Sequence, residues 1–145
     1  AVVREPTERL VSCYRNRVIF HRELSPNALE QAHIRSPRLV SDPDINHFVK
    51  HLPLYRVASK AIAHHTDPQT KFIGASFKFF DHVYKFEELS ELEEVLSGRL
   101  HARVRLERLQ SHGPPASEFK LSTESQEALY TYYEQDYLML RGRYC

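Results

Sequence analysis

Val2-Val3-Arg4-Glu5-Pro6-Thr7-Glu8-Arg9-Leu10-Val11-Ser12-Cys13-Tyr14 is the stretch on which the fold turns. Two β-branched residues, a turn and a proline suited to a first helical position predict a short strand, a tight turn and a helix from Pro6 to about residue 24. Leu10, Val11, Tyr14 and Val18 fall within about a 100° arc, the width of a core-facing stripe. Glu5, Arg9, Ser12 and Asn16 follow at spacings of four, three and four, which places them on one polar face roughly opposite that stripe. A helix start carries unpaired N–H groups and the positive end of the helix dipole, and together these attract an anion. Arg4, at the end of the strand, offers a rigid fork of donors suited to phosphate oxygens. Each charge-assisted hydrogen bond is worth ~1.5–3 kcal/mol, so two or three of them would select a phosphate group. The same pattern also describes a solvated helix face whose arginines pair with Glu5 and Glu8, and geometry alone leaves both readings open.

Outward from this stretch, Ser25-Pro26 and Asp42-Pro43 read as two further cap-plus-proline helix starts, the second leading into Ile45, Phe48, Val49 and Leu52. A loop at Thr66-Asp67-Pro68-Gln69 precedes two strand candidates, Lys71–Ile73 and Val83–Phe86. Ser90-x-x-Glu93 reads as a capping box opening a helix that Gly98 ends. Residues 109–118 read as a loop, and Thr123-x-x-Gln126 starts a last helix carrying Leu129, Tyr130, Tyr133 and Tyr137. The tyrosines read as helix packing with hydroxyls reaching the surface. The expected fold class is a helix-rich α/β domain over residues 1–145, its small, mostly parallel sheet flanked by helices.

Composition narrows the function classes. The chain has 145 residues, 41% hydrophobic and 27% charged, as in an ordinary globular domain, and a net charge of +1 makes no case for nucleic acid or an anionic membrane. The tyrosines have acidic neighbours Glu127, Glu134 and Asp136, which argue against a stacking platform for nucleic acid. The acidic run Glu87, Glu88, Glu91, Glu93 and Glu94 reads as a solvated helix face, with a basic acceptor or partner as the other reading. No apolar run approaches the ~20 residues of a membrane span. Cys13 and Cys145 are the only thiols, too few for a disulfide framework or a thiolate zinc cage. His47 and His51 stand at i and i+4 without the glutamate of a zinc-protease helix or an evident third ligand, so no metal is expected. The opening Ala1-Val2-Val3, with no methionine, reads as processing, truncation or a gene fragment.

The run Arg4-Glu5-Pro6-x-x-Arg9-x-x-Ser12-x-Tyr14, preceded by an apolar strand, resembles the 3′-phosphate signature of sulfotransferases that use 3′-phosphoadenosine-5′-phosphosulfate, most closely the carbohydrate-type and bacterial branch. Three later segments match in order: His65-x-x-Pro68-Gln69; the strand and short helix at Asp81-His82-Val83-Tyr84-Lys85-Phe86-Glu87-Glu88-Leu89; and the closing helix with Tyr133-x-x-Asp136-Tyr137. The resemblance implies the C-terminal part of a P-loop-like sulfotransferase fold. It assigns Arg4 and Ser12 to the donor's 3′-phosphate and admits Arg9 either as a third contact or as a brace for the loop. His65 becomes a loop brace or acceptor contact. Ser111 and His112 become late-loop candidates over the nucleotide, against an ordinary exposed loop. The family's 5′-phosphosulfate loop and its catalytic base precede the signature, so both are expected upstream of residue 1.

The implied activity is transfer of a sulfuryl group to a hydroxyl, expected on a saccharide, with the nucleotide donor as the one cofactor-like partner. A non-catalytic nucleotide- or partner-binding remnant of that fold is the competing class. A nucleotide kinase of related fold is disfavoured, because no lysine-bearing phosphate loop is visible in the chain. The implied compartment is cytoplasmic, as for bacterial members, or the Golgi lumen with a membrane anchor upstream of this segment.

Overall fold

The computed structural model describes residues 1–107 and 114–144. Strand β1 (Val2–Val3) runs into α1 (Pro6–Cys13), which continues as a π-helical segment, Tyr14–Phe20. There follow α2 (Pro26–Gln31), α3 (Ile45–Lys50), α4 (Leu52–Ala58), α5 (Lys60–Thr66) and α6 (Thr70–Ile73). Strand β2 (Tyr84–Lys85) leads through a 3₁₀ turn, Phe86–Glu88, into α7 (Leu89–Leu100), and α8 (Thr123–Tyr132) and α9 (Glu134–Met139) close the chain. The two strands pair in parallel, Val2 opposite Tyr84 and Val3 opposite Lys85. The chain is a helix-rich α/β protein with a small parallel sheet, as expected.

The core is built by the predicted stripe of α1 and the π segment. Leu10, Val11, Tyr14 and Val18 pack with Leu24, Phe48, Val49, Leu52, Tyr55 and Ile62 and, from α8 and its end, Leu129 and Tyr133. Tyr14 meets Phe119 edge-on at 5.3 Å, and its hydroxyl donates to the Pro43 carbonyl at 2.8 Å, so the ring's polar end is satisfied inside the core.

Local signals place most helix starts and mistake a few. Ser25 caps α2 with Pro26 at its first position, as expected. At the next start Asp44, not Asp42, is the cap, accepting the N–H groups of Asn46 and His47. Asp42 instead takes φ +45° and pairs with Arg22 at 3.1 Å. The first helix stops at Phe20 rather than near residue 24, and its last turns are π.

Lys71–Ile73 is not a strand: it lies in α6, whose first N–H groups are held by a carboxylate from the far end of the chain. A triplet with only two apolar residues, Phe72 and Ile73, has no period of its own, so an outside cap decides its state. Helix α7 starts at Leu89 off the 3₁₀ turn, where Glu88 accepts the Lys85 N–H at 3.0 Å. The expected box at Ser90 does not form, and the helix passes through Gly98 to Leu100, ending at His101 in the left-handed conformation (φ +48°). Ser122, one residue earlier than expected, caps α8. The closing helix breaks at Tyr133 (φ −103°, ψ 19°).

Candidate functional site

A cleft of about 730 Å³ opens along the polar face of α1, large enough for a nucleotide. Arg4, Arg9, Ser12, Arg15, Asn16 and His65 line one side, and Phe86, Glu87, Leu89, Ser90, Glu93, Leu106 and Glu107 also contribute to its walls. Three of the four residues read as one polar face, Arg9, Ser12 and Asn16, therefore share the cleft. The fourth, Glu5, does not: its carboxylate accepts the Glu8 N–H at 2.6 Å and the Tyr137 hydroxyl at 2.7 Å, capping α1. The turn's geometry pulls Glu5 back over its own helix start.

Arg4 is held by its backbone. The Gln69 side chain accepts the Arg4 N–H at 2.9 Å and donates to the Arg4 carbonyl at 2.7 Å, mimicking one rung of a sheet. The backbone position is thereby set while the guanidinium stays available for a ligand. That guanidinium lies over the Phe86 ring at 4.6 Å and only 3.9 Å from Glu8, while its buried Nε has no hydrogen-bond partner among the described residues. A contact at 3.9 Å between half-exposed groups is worth under about 1 kcal/mol. The solvated-face reading thus has its ion pair, but a weak one that leaves a buried donor unused.

Arg9 donates to the Asp67 carbonyl at 2.5 Å, so it braces the loop after α5. Asp67 is also bonded by Arg56 at 2.7 Å and Lys71 at 2.6 Å. Burial pushes its carboxyl up, but the hydrogen bonds from Lys71 and Arg56 outweigh this and hold it below the ordinary value. Arg15 donates to the Pro114 carbonyl. Ser111 and His112 lie outside the described residues, as does Cys145.

The segment His65-x-x-Pro68-Gln69 is fixed by the closing helices. Asp136, 0% exposed, accepts the N–H groups of Gln69 at 2.7 Å and Thr70 at 2.8 Å. The Tyr133 hydroxyl is buried and donates to the Thr66 carbonyl at 2.9 Å, instead of reaching the surface as expected. The Tyr137 hydroxyl ties α9 to Glu5 and, at 2.7 Å, to Thr7. The arginine turn and two of the matched segments, the loop and the closing helices, are therefore one hydrogen-bonded assembly: the closing helices grip the loop, and the loop grips the arginine turn. Sequence reading matched Gln69, Tyr133, Asp136 and Tyr137 as pattern and took the tyrosines for helix packing, but did not find these bonds, because the partners lie 65 to 132 residues away.

His65 faces the cleft, whereas His64 is exposed. Burial first, then Arg17, His64 and Arg9, push the His65 imidazole below its ordinary 6.5, with Glu23 opposing. Stability should therefore be highest above about pH 6.5 and fall as pH descends to the lowered folded value, because the unfolded chain takes the proton first. Denaturant titrations at about pH 7.5 and about 5.5 should show His65→Gln losing less stability on acidification than the parent. Equal losses would remove His65 from the acid response.

Cys13 is a free, buried thiol pushed up to about 12, chiefly by burial, so it is inert. The His47 and His51 rings lie 4.6 Å apart, tilted by 57°, and His47 Nε2 is 3.0 Å from the Arg38 carbonyl oxygen. Among the described residues no three His, Cys, Asp or Glu side chains gather where they could hold a metal, and no helix is long and apolar enough to cross a membrane.

A parallel strand pair, a turn bearing an arginine, and a helix whose polar face lines a cleft of nucleotide size together define a helix-rich α/β protein with its cleft at the first helix. The model of the sulfotransferase family matches residues 1–141, and the chain belongs to that family. Family membership makes it a transferase domain concerned in general with sulfuryl transfer. No curated protein and no solved structure gave a match.

Proposed function

We propose that this chain grips the 3′-phosphate of 3′-phosphoadenosine-5′-phosphosulfate between Arg4 and Ser12 and serves transfer of its sulfuryl group to a hydroxyl, of a saccharide by resemblance to the carbohydrate-type branch. The observation that carries the reading is Arg4: its backbone is clamped on both sides by Gln69, yet its buried Nε has no partner among the described residues, beside a cleft that Ser12 also lines. A buried unpaired donor costs about 1–3 kcal/mol, which a bound phosphate would offset. Arg9 supports the loop rather than the ligand, and His65 lines the floor.

In the reaction, the acceptor oxygen bonds to sulfur as the bridging oxygen to the 5′-phosphate leaves, and the acceptor's proton passes to a base. Adenosine 3′,5′-bisphosphate is the other product. The protein's part is positioning and charge stabilisation, and a grip on the remote 3′-phosphate fixes where the sulfur sits. The base and the 5′-phosphosulfate loop are read as lying upstream of residue 1, within a P-loop-like fold of which residues 1–145 form the C-terminal part. The cytoplasm is the compartment we favour, from the bacterial resemblance.

Calorimetric titration tests the site. Adenosine 3′,5′-bisphosphate should bind at least about tenfold more tightly than 5′-AMP, the yield of one charge-assisted hydrogen bond. Equal affinities would overturn the assignment of the 3′-phosphate to Arg4 and Ser12.

A further inference from the structure

Asn16 is 7% exposed and lines the same cleft as Arg4 and Ser12, yet its Nδ2 makes no hydrogen bond among the described residues. Buried amide donors are almost always paired, so an unpaired one on a residue that lines a cleft points to a ligand acceptor. The backbone supports this. Asn16 lies in the π segment, where the His21 N–H reaches back five residues to the Asn16 carbonyl at 2.9 Å. Such widened turns re-aim side chains and are frequent at functional sites. The π segment begins two residues past Ser12, so the helix face that carries Ser12 is rebuilt at the position of Asn16.

The residue type narrows the ligand group. A phosphate is served by the charged fork of Arg4 and the hydroxyl of Ser12, and a neutral carboxamide adds no charge to it. A carboxamide offers a donor and an acceptor in one plane, which matches the ring nitrogen and exocyclic amine along one edge of adenine. Asn16 also stands four residues, about 6 Å of helix, beyond Ser12 and away from the helix start. Leu89 and Leu106 supply apolar wall for a ring, and the carboxylates of Glu93 and Glu107 in the same cleft accept from an amine and repel a carbonyl oxygen.

We infer that Asn16 is the base-reading residue of this cleft, donating through Nδ2 to a ring nitrogen of adenine and selecting adenine over guanine nucleotides. The inference rests on the nucleotide reading above. The test titrates the parent, Asn16→Ala and Asn16→Asp with adenosine 3′,5′-bisphosphate, guanosine 3′,5′-bisphosphate and the abasic ribose 3,5-bisphosphate. Thermal unfolding of each protein without ligand accompanies it.

The parent should prefer the adenosine compound to the guanosine compound. Asn16→Ala should bind the adenosine compound about 10- to 100-fold more weakly and the abasic compound as well as the parent does. Its unliganded midpoint should equal or exceed the parent's, since no internal bond of Nδ2 is lost. Asn16→Asp keeps the shape, replaces the donor by an acceptor, and should lose the preference for adenine, so it carries the test should the alanine variant fold poorly. An adenosine affinity unchanged by both variants overturns the inference, as does an equal loss for the abasic compound, and either result leaves the 3′-phosphate site standing. If the parent binds none of the three, the nucleotide reading and this inference fall together.

Discussion

Asp136→Ala should lower stability by about 3–5 kcal/mol, a large part of the ~5–15 kcal/mol typical of a folded domain. Asp136 is fully buried, and its two oxygens accept separate N–H groups, from Gln69 at 2.7 Å and Thr70 at 2.8 Å. Hydrogen bonds to a charged acceptor are worth ~1.5–3 kcal/mol each, and alanine would leave one buried and one part-buried donor unpaired. Helix α6 has only four residues and cannot offset such a loss from within. Asp136→Asn should recover about half, because one amide oxygen can still accept while the NH₂ group faces the second donor.

Denaturant titration of the three proteins reads the difference directly. A loss below about 1 kcal/mol for the alanine variant would show that these bonds do not hold the segment. The effect should also reach the cleft, since Gln69 carries the clamp on Arg4. Asp136→Ala should therefore weaken adenosine 3′,5′-bisphosphate even where the protein remains folded.

Arg4→Ala should reduce affinity for adenosine 3′,5′-bisphosphate by about 100-fold and leave 5′-AMP nearly unaffected. The substitution removes the guanidinium and keeps the backbone N–H and carbonyl that Gln69 holds, so the fold should survive it. The side-chain interactions given up are the 3.9 Å approach to Glu8 and the packing over Phe86 at 4.6 Å, each worth about 1 kcal/mol or less at this exposure. Arg4→Lys keeps the charge without the planar fork and should restore only part of the affinity. The parent's affinity should fall with added salt, and the alanine variant's should fall less. Undiminished binding by Arg4→Ala would move the phosphate site away from this turn.

The strand, the Arg4 turn and the helix from Pro6 were legible because each follows from residues adjacent in the chain: β-branched pair, proline at the first helical position, apolar stripe at helical spacing. Ser25 worked as a cap for the same reason, since a cap bonds to an N–H only three residues on, whereas the last helix is capped by Ser122, one residue before the expected Thr123. The sharing of a cleft by Arg9, Ser12 and Asn16 was likewise visible as spacing on one helix.

What nearest neighbours could not set was the state of Lys71–Ile73, the break at Tyr133, and the tasks of Gln69, Asp136 and Tyr137. A short run with two apolar residues fits strand or helix alike, and a carboxylate 66 residues away caps it as a helix. A glutamine in a loop has no periodicity to betray that its amide will pair with a backbone 65 residues earlier. Local chain chemistry thus settled where the arginine turn and its helix form. Only folding settled which donors around that turn are consumed internally and which are left for a ligand, because hydrogen-bond partners far apart in the chain meet only once the core has closed.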